Sequence, residues 1–82
     1  MSDEELLKGL ASHSEIYLKH LMWKYQHELE SYVSAIMKNH DEVDDVVHET
    51  FLQFWFKYVK KGKPIRSLRA LLFRIAKHIS ID

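Results

Sequence analysis

The chain contains no cysteine, which excludes both a disulfide framework and a thiolate metal site. That absence fits a reducing compartment. No stretch of about eighteen or more apolar residues occurs, so no membrane-spanning segment is expected. The opening Met1-Ser2-Asp3-Glu4-Glu5-Leu6-Leu7 is acidic, whereas a signal peptide starts basic and then turns apolar. A cytoplasmic location follows as the expectation. There are only two glycines and one proline, and Gly62 and Pro64 share one short stretch. Few places remain to turn a β-hairpin, so long helices are expected. Eighty-two residues make one domain, near the lower end of what a single unstapled core supports. The expected fold class is all-α, a compact bundle of about four helices.

The formal net charge of zero conceals a segregation. Through Phe56 there are four Lys/Arg against eleven Asp/Glu, a balance of −7. From Lys57 onward there are eight Lys/Arg against Asp82 alone, a balance of +7. Such a split points to two different partners, one of them polyanionic. The alternative is that the two halves neutralise each other within the fold.

Apolar periodicity places the helices. The first covers about Asp3 to Ala11, with Ser2 or Asp3 as N-cap, acids in its first turn and Leu6, Leu7 and Leu10 on its apolar face. After a break at Ser12–Ser14, a second runs from about Glu15 to Lys38, on the order of 35 Å. Its stripe is Leu18, Leu21, Met22, Tyr25, Leu29, Tyr32, Val33 and Ile36. Asp41 is the expected N-cap of a third helix, from about Glu42 to Tyr58. Its buried stripe reads Val43, Val46, Val47, Thr50, Phe51, Phe54 and Tyr58, with Trp55 outside it. A basic loop, Lys60-Lys61-Gly62-Lys63-Pro64-Ile65-Arg66, leads to a fourth helix capped by Ser67 and burying Leu68, Leu71, Leu72, Ile75 and Ile79. No stop signal follows Ile81-Asp82, so the helix is expected to belong to a longer protein.

Six histidines raise the question of a metal. His13, His20 and His27 recur every seven residues, a rise of about 10.5 Å that is too long for ligands of one ion. His48-Glu49 lacks the second histidine of a HExxH site. No nucleophile–histidine–acid set and no glycine-rich phosphate loop occurs. An enzymatic role is not expected, and neither a metal nor a cofactor is.

Two surfaces are candidates for a binding function instead. Asp45, His48, Glu49 and Leu52 lie at i, i+3, i+4 and i+7, one strip pointing away from the third helix's apolar stripe, with Trp55 close by. Such a strip suits a protein partner offering arginines and apolar surface; otherwise it is a solvated helix face. On the fourth helix, Arg66, Arg69, Phe73 and Lys77 fall opposite the leucines, flanked by Arg74 and His78. Cations interleaved with an aromatic, beside a lysine-rich loop, match what unpaired nucleic acid requires. The alternative is a core phenylalanine amid cations that only confer solubility.

Two segments carry a family resemblance. Asp44-Asp45-Val46-Val47-His48-Glu49-Thr50-Phe51-Leu52-Gln53-Phe54-Trp55 resembles the region 2.2 helix of bacterial RNA polymerase sigma factors, usually E-D-L-V-Q-E-T-F-L-x-x-W. Ser67-Leu68-Arg69-Ala70-Leu71-Leu72-Phe73-Arg74-Ile75-Ala76-Lys77-His78-Ile79-Ser80-Ile81-Asp82 is similar to regions 2.3 and 2.4, commonly S-L-R-A-W-L-F-R-I-A-R-N-L-A-I-D. Their order and the loop between them resemble the extracytoplasmic-function group. The first helix and the Lys24–Leu29 segment resemble regions 1.2 and 2.1 more loosely, so the likeness spans nearly all of residues 1–82.

The resemblance implies that Asp45, His48, Glu49, Leu52 and Trp55 dock on the clamp helices of the polymerase β′ subunit. It implies that Lys61, Lys63, Arg66, Arg69, Arg74, Lys77 and His78 lie near promoter DNA, mainly the non-template strand of the −10 element. The loop before the last helix would shape a pocket for a flipped-out base. An anti-sigma factor is a further implied partner. The family's helix-turn-helix that reads the −35 element is expected beyond residue 82. Departures occur at His48, where glutamine is usual, at Leu71, where tryptophan is usual, and at Lys77-His78, which stands for Arg-Asn. They leave clamp docking open to pH, duplex melting without that aromatic, and base specificity unsettled. A helical module that docks on polymerase or a regulator without reading a promoter remains the alternative.

Overall fold

Ser2 starts the first helix by reciprocal capping. Its Oγ accepts from the Glu5 N–H at 3.2 Å, and Glu5 Oε1 accepts from the Ser2 N–H at 3.3 Å. The computed structural model describes residues 1–81. In it, α1 spans Asp3–Leu10, α2 Glu15–Ile36, α3 Val43–Phe54 and α4 Leu68–Ile81, and no strand occurs among the described residues. The fold is an all-α bundle of four helices, with a Cα radius of gyration of 12.3 Å. That is close to the roughly 12 Å expected of a compact chain this long. Asp82, the last residue of the fourth helical motif, lies outside the described residues.

The core is built as the periodicity implies. Leu6 and Leu10 of α1 pack with Leu21, Tyr25, Leu29 and Val33 of α2. From α3 come Val43, Val46, Val47, Phe51 and Phe54, and from α4 Leu68, Leu71, Leu72, Ile75 and Ala76. Thr50 is fully buried but satisfied, its hydroxyl donating to the Val46 carbonyl at 2.8 Å. Leu7, Leu18, Met22, Tyr32 and Ile79 are half-buried at the core's edge, while Ile36 is exposed. α3 packs on both α2 and α4, and α1 lies along α2. A polar tie fixes that last contact. The Tyr25 hydroxyl donates to Asp3 Oδ2 at 2.5 Å, and Lys24 Nζ meets Asp3 Oδ1 at 2.6 Å.

Two junctions differ from expectation. Asp41 does not cap the third helix; it lies inside a 3₁₀ turn, His40–Glu42, and its N–H donates to Asn39 Oδ1 at 3.1 Å. Asn39 is thus the side-chain cap of this junction, and α3 begins one residue later than predicted. At its other end α3 does not stop but widens into a π-helical segment, Trp55–Val59, closed by the Lys60 N–H donating to the Trp55 carbonyl at 2.9 Å. The wider turn carries an extra residue and shifts every later side chain around the axis. Gly62 then takes a φ of +64°, a left-handed conformation that favours glycine, and turns the chain into the basic loop. Ser67 caps α4 as expected, accepting from the Ala70 N–H at 3.2 Å.

Candidate protein and nucleic-acid interfaces

The acidic strip of α3 forms on the helix face opposite Val43, Val47 and Phe54. Asp45, His48, Glu49 and Leu52 are all exposed, and Gln53 donates to Glu49 Oε1 at 3.4 Å. Trp55 departs from its expected position outside the buried stripe. It is only 5 % exposed, part of the core, and Lys60 Nζ covers its ring at 5.4 Å. Trp55 still bonds back to the Phe51 carbonyl and extends the buried Phe51 side of the core by one turn, while the π-helical segment that follows draws Val59 inward and leaves Tyr58 at a half-buried edge. Phe56, 58 % exposed, lies beyond Leu52, which is 38 % exposed. Phe56 thus joins the strip, four residues after Leu52 and seven after Glu49, where the strip's own α-helical spacing extends to it.

The basic end divides into two groups. Arg74, Lys77 and His78 are exposed along one face of α4, with Lys61, Lys63 and Arg66 exposed in the preceding loop. Arg69 and Phe73 do not share that face. The Arg69 guanidinium pairs with Glu28 of α2 and lies 5.1 Å over the Phe73 ring, and Phe73 meets Tyr32 of α2 edge-on at 5.0 Å. The hydrogen bond to Glu28 holds the guanidinium above its ordinary pKa. Part of the charge segregation is therefore neutralised inside the fold.

A cleft of about 250 Å³ opens between the loop and α4. Tyr58, Ile65 and Leu71 give it apolar walls, and Arg66 and Arg74 stand at it from loop and helix. Tyr58 also borders a neighbouring cleft against Leu7 and Leu10, and Lys63 Nζ sits 5.4 Å from its ring centroid. Tyr58 and Ile65 were not among the expected site residues. Both reach the clefts because the π-helical turn and the Gly62 bend fold the loop back on the bundle.

The family model of sigma-70 region 2 matches residues 21–82. The chain belongs to the sigma-70 region 2 family. The match takes in α2 from Leu21 together with all of α3 and α4, and so both surfaces described above. Membership implies a role in RNA polymerase binding and in recognition of the −10 promoter element. This is a family of transcription factor domains, not of enzymes. No curated protein matches the chain, and no solved structure does. No helix among the described residues is long and apolar enough to cross a membrane.

Proposed function

We propose that this domain is region 2 of an extracytoplasmic-function sigma factor, docking through α3 and binding the opened −10 element through the loop and α4. The observation that carries the reading is the placement of opposite charges on different elements of a sigma-70 region 2 domain. The acidic strip lies on α3, and the loop and α4 carry cations that have no ion-pair partner among the described residues. Asp45, His48 and Glu49 face arginines of the β′ clamp helices, and Leu52 with Phe56 supplies the apolar contact. Trp55 supports that face from behind as a core residue.

Lys61, Lys63, Arg66, Arg74, Lys77 and His78 track the phosphates of the non-template strand. The cleft beside Tyr58 takes an unstacked base, whose unstacking costs a few kcal/mol, offset by stacking and phosphate pairing. This role is binding without catalysis.

The test is a pair of variants. Glu49→Lys abolishes binding to a β′ clamp-helix fragment while the helical circular dichroism is unchanged; unaltered affinity refutes the docking assignment. Binding of the domain to a single-stranded −10 segment weakens with salt, and more so in the Lys63→Ala, Arg66→Ala double variant. Clamp binding without any strand preference assigns the chain instead to a docking module that reads no promoter.

A further inference from the structure

A third surface lies on the side of α2 turned away from the core. Ile16, His20 and Trp23 fall at i, i+4 and i+7 and form one outward stripe. Trp23 is 81 % exposed and Ile16 67 %, more than any other large apolar side chain among the described residues. The rings form a row, with Tyr17 to His20 and His20 to Trp23 each 6.3 Å between centroids. Two shallow clefts, of about 370 and 330 Å³, meet at His20 and Trp23. A continuous apolar patch of this kind marks an interaction site more often than a solitary exposed side chain does.

Charge decides what the patch fits. This part of the chain holds eleven acids and only four Lys/Arg, yet no carboxylate lines either cleft, while two of those four cations, Lys19 and Lys24, do. Lys24 is committed to Asp3, but Lys19 has no ion-pair partner among the described residues. Glu30, further along α2, is engaged by Gln26 and His27. With Lys24 neutralised by Asp3, Lys19 is the one side-chain cation lining the clefts that no carboxylate meets among the described residues.

We propose that the Ile16–His20–Trp23 stripe docks an amphipathic helix of a protein partner, whose apolar ridge covers Ile16 and Trp23 and whose flanking Asp or Glu residues meet Lys19. α3 and α4 pack on the opposite side of α2, so the stripe stays open when the acidic strip and the basic face are occupied. A second copy fits less well, because an isologous pairing brings two Lys19 side chains to one interface whose clefts hold no carboxylate to meet them.

The test titrates the isotope-labelled domain with a synthetic helical peptide bearing a leucine ridge flanked by glutamates, and with the same peptide carrying lysine for every glutamate. The glutamate peptide shifts the resonances of Ile16, His20 and Trp23 and binds at least about tenfold tighter than the lysine peptide. Trp23→Ser removes this binding while leaving the melting midpoint and single-strand affinity in place, and Lys19→Glu reverses the peptide preference. Equal binding of both peptides overturns the proposal. Shifts centred on Arg74 and Lys77 that persist in Trp23→Ser overturn it as well, as attraction to the basic face. Self-association in sedimentation that Trp23→Ser abolishes overturns it in favour of a second copy.

Discussion

Arg69 reaches across the seam between α4 and α2 to pair with Glu28, and its guanidinium stacks 5.1 Å over the ring of Phe73. The same seam holds the Phe73–Tyr32 contact, so a cation that the sequence groups with the nucleic-acid face is turned toward the bundle. Arg69→Ala is expected to lower the melting midpoint slightly, since the pair is solvent-screened, and to leave the salt dependence of single-strand binding unaltered. Lys77→Ala does the reverse: stability holds, and the slope of log K against log salt falls by about 0.7, the value of one phosphate contact on a single strand. Parallel melts and salt titrations separate the two roles. A lost phosphate contact in Arg69→Ala refutes this division.

Most of the fold was legible because α-helical burial repeats faithfully while the backbone stays α-helical. The buried residues of α3 from Val43 to Phe54 follow directly from their spacing, and Ser2 and Ser67 cap where a short hydroxyl side chain precedes an apolar run. The reading fails at Trp55, which sits at the margin of the stripe one turn beyond Phe51, and at Tyr58 and Val59, where the hydrogen bonds lengthen to i→i+5 and no side-chain pattern announces the change. It fails again at Arg69, whose direction depends on Glu28, a residue brought near only by tertiary packing. Both surfaces were visible in the segregation of charge. The Ile16–Trp23 stripe was not: the periodicity leaves both residues outside the second helix's apolar stripe, where they read as solitary exposed side chains until the structure lines their neighbours His20 and Tyr17 up with them.

Trp55 and Phe56 adjoin in sequence but face opposite environments, so their substitution has opposite consequences. Trp55→Ala removes a large buried side chain and is expected to cost about 3–5 kcal/mol, much of the stability of a small domain. Phe56→Ser stays within about 0.5 kcal/mol of the parent, because its ring is mostly in water. It nevertheless weakens binding to a β′ clamp fragment by about tenfold, as loss of an apolar contact beside Leu52 does. Chemical denaturation and clamp-binding assays read the two effects independently.

Gly9 is set by contact. A Cβ built there falls within the Tyr17 ring, so α1 approaches the start of α2 only because this position has no side chain. Gly9→Ala is expected to destabilise by about 1–3 kcal/mol through overpacking, despite alanine's better helix propensity. Adding Tyr17→Ala removes the clash and recovers part of the loss, a non-additivity that a double-mutant cycle measures directly. Additive effects would place the cost elsewhere.

Tyr25 and Asp3 make the tie between α1 and α2 sensitive to alkali. Burial of Tyr25, reinforced by its hydrogen bond to Asp3, pushes the phenol up to about 12 from an ordinary value of 10.0. Asp3 moves down: its own burial opposes ionisation, but the hydrogen bonds from Lys24 and Tyr25 together outweigh it. A phenol whose folded pKa is raised contributes its full stabilisation below the unfolded value and loses it as pH rises through the folded one. The stability advantage of the parent over Tyr25→Phe is therefore constant up to about pH 10 and declines from there toward about pH 12. The two proteins differ by a single hydroxyl, so the difference between them isolates Tyr25. Asp3 acts at the opposite end, where its lowered pKa gives a stabilisation that is present above the ordinary carboxylate range and lost as pH falls through the folded value. Melting midpoints of the parent, Tyr25→Phe and Asp3→Asn across both ranges check the assignment. A parent–Tyr25→Phe difference that is flat through the alkaline range refutes it.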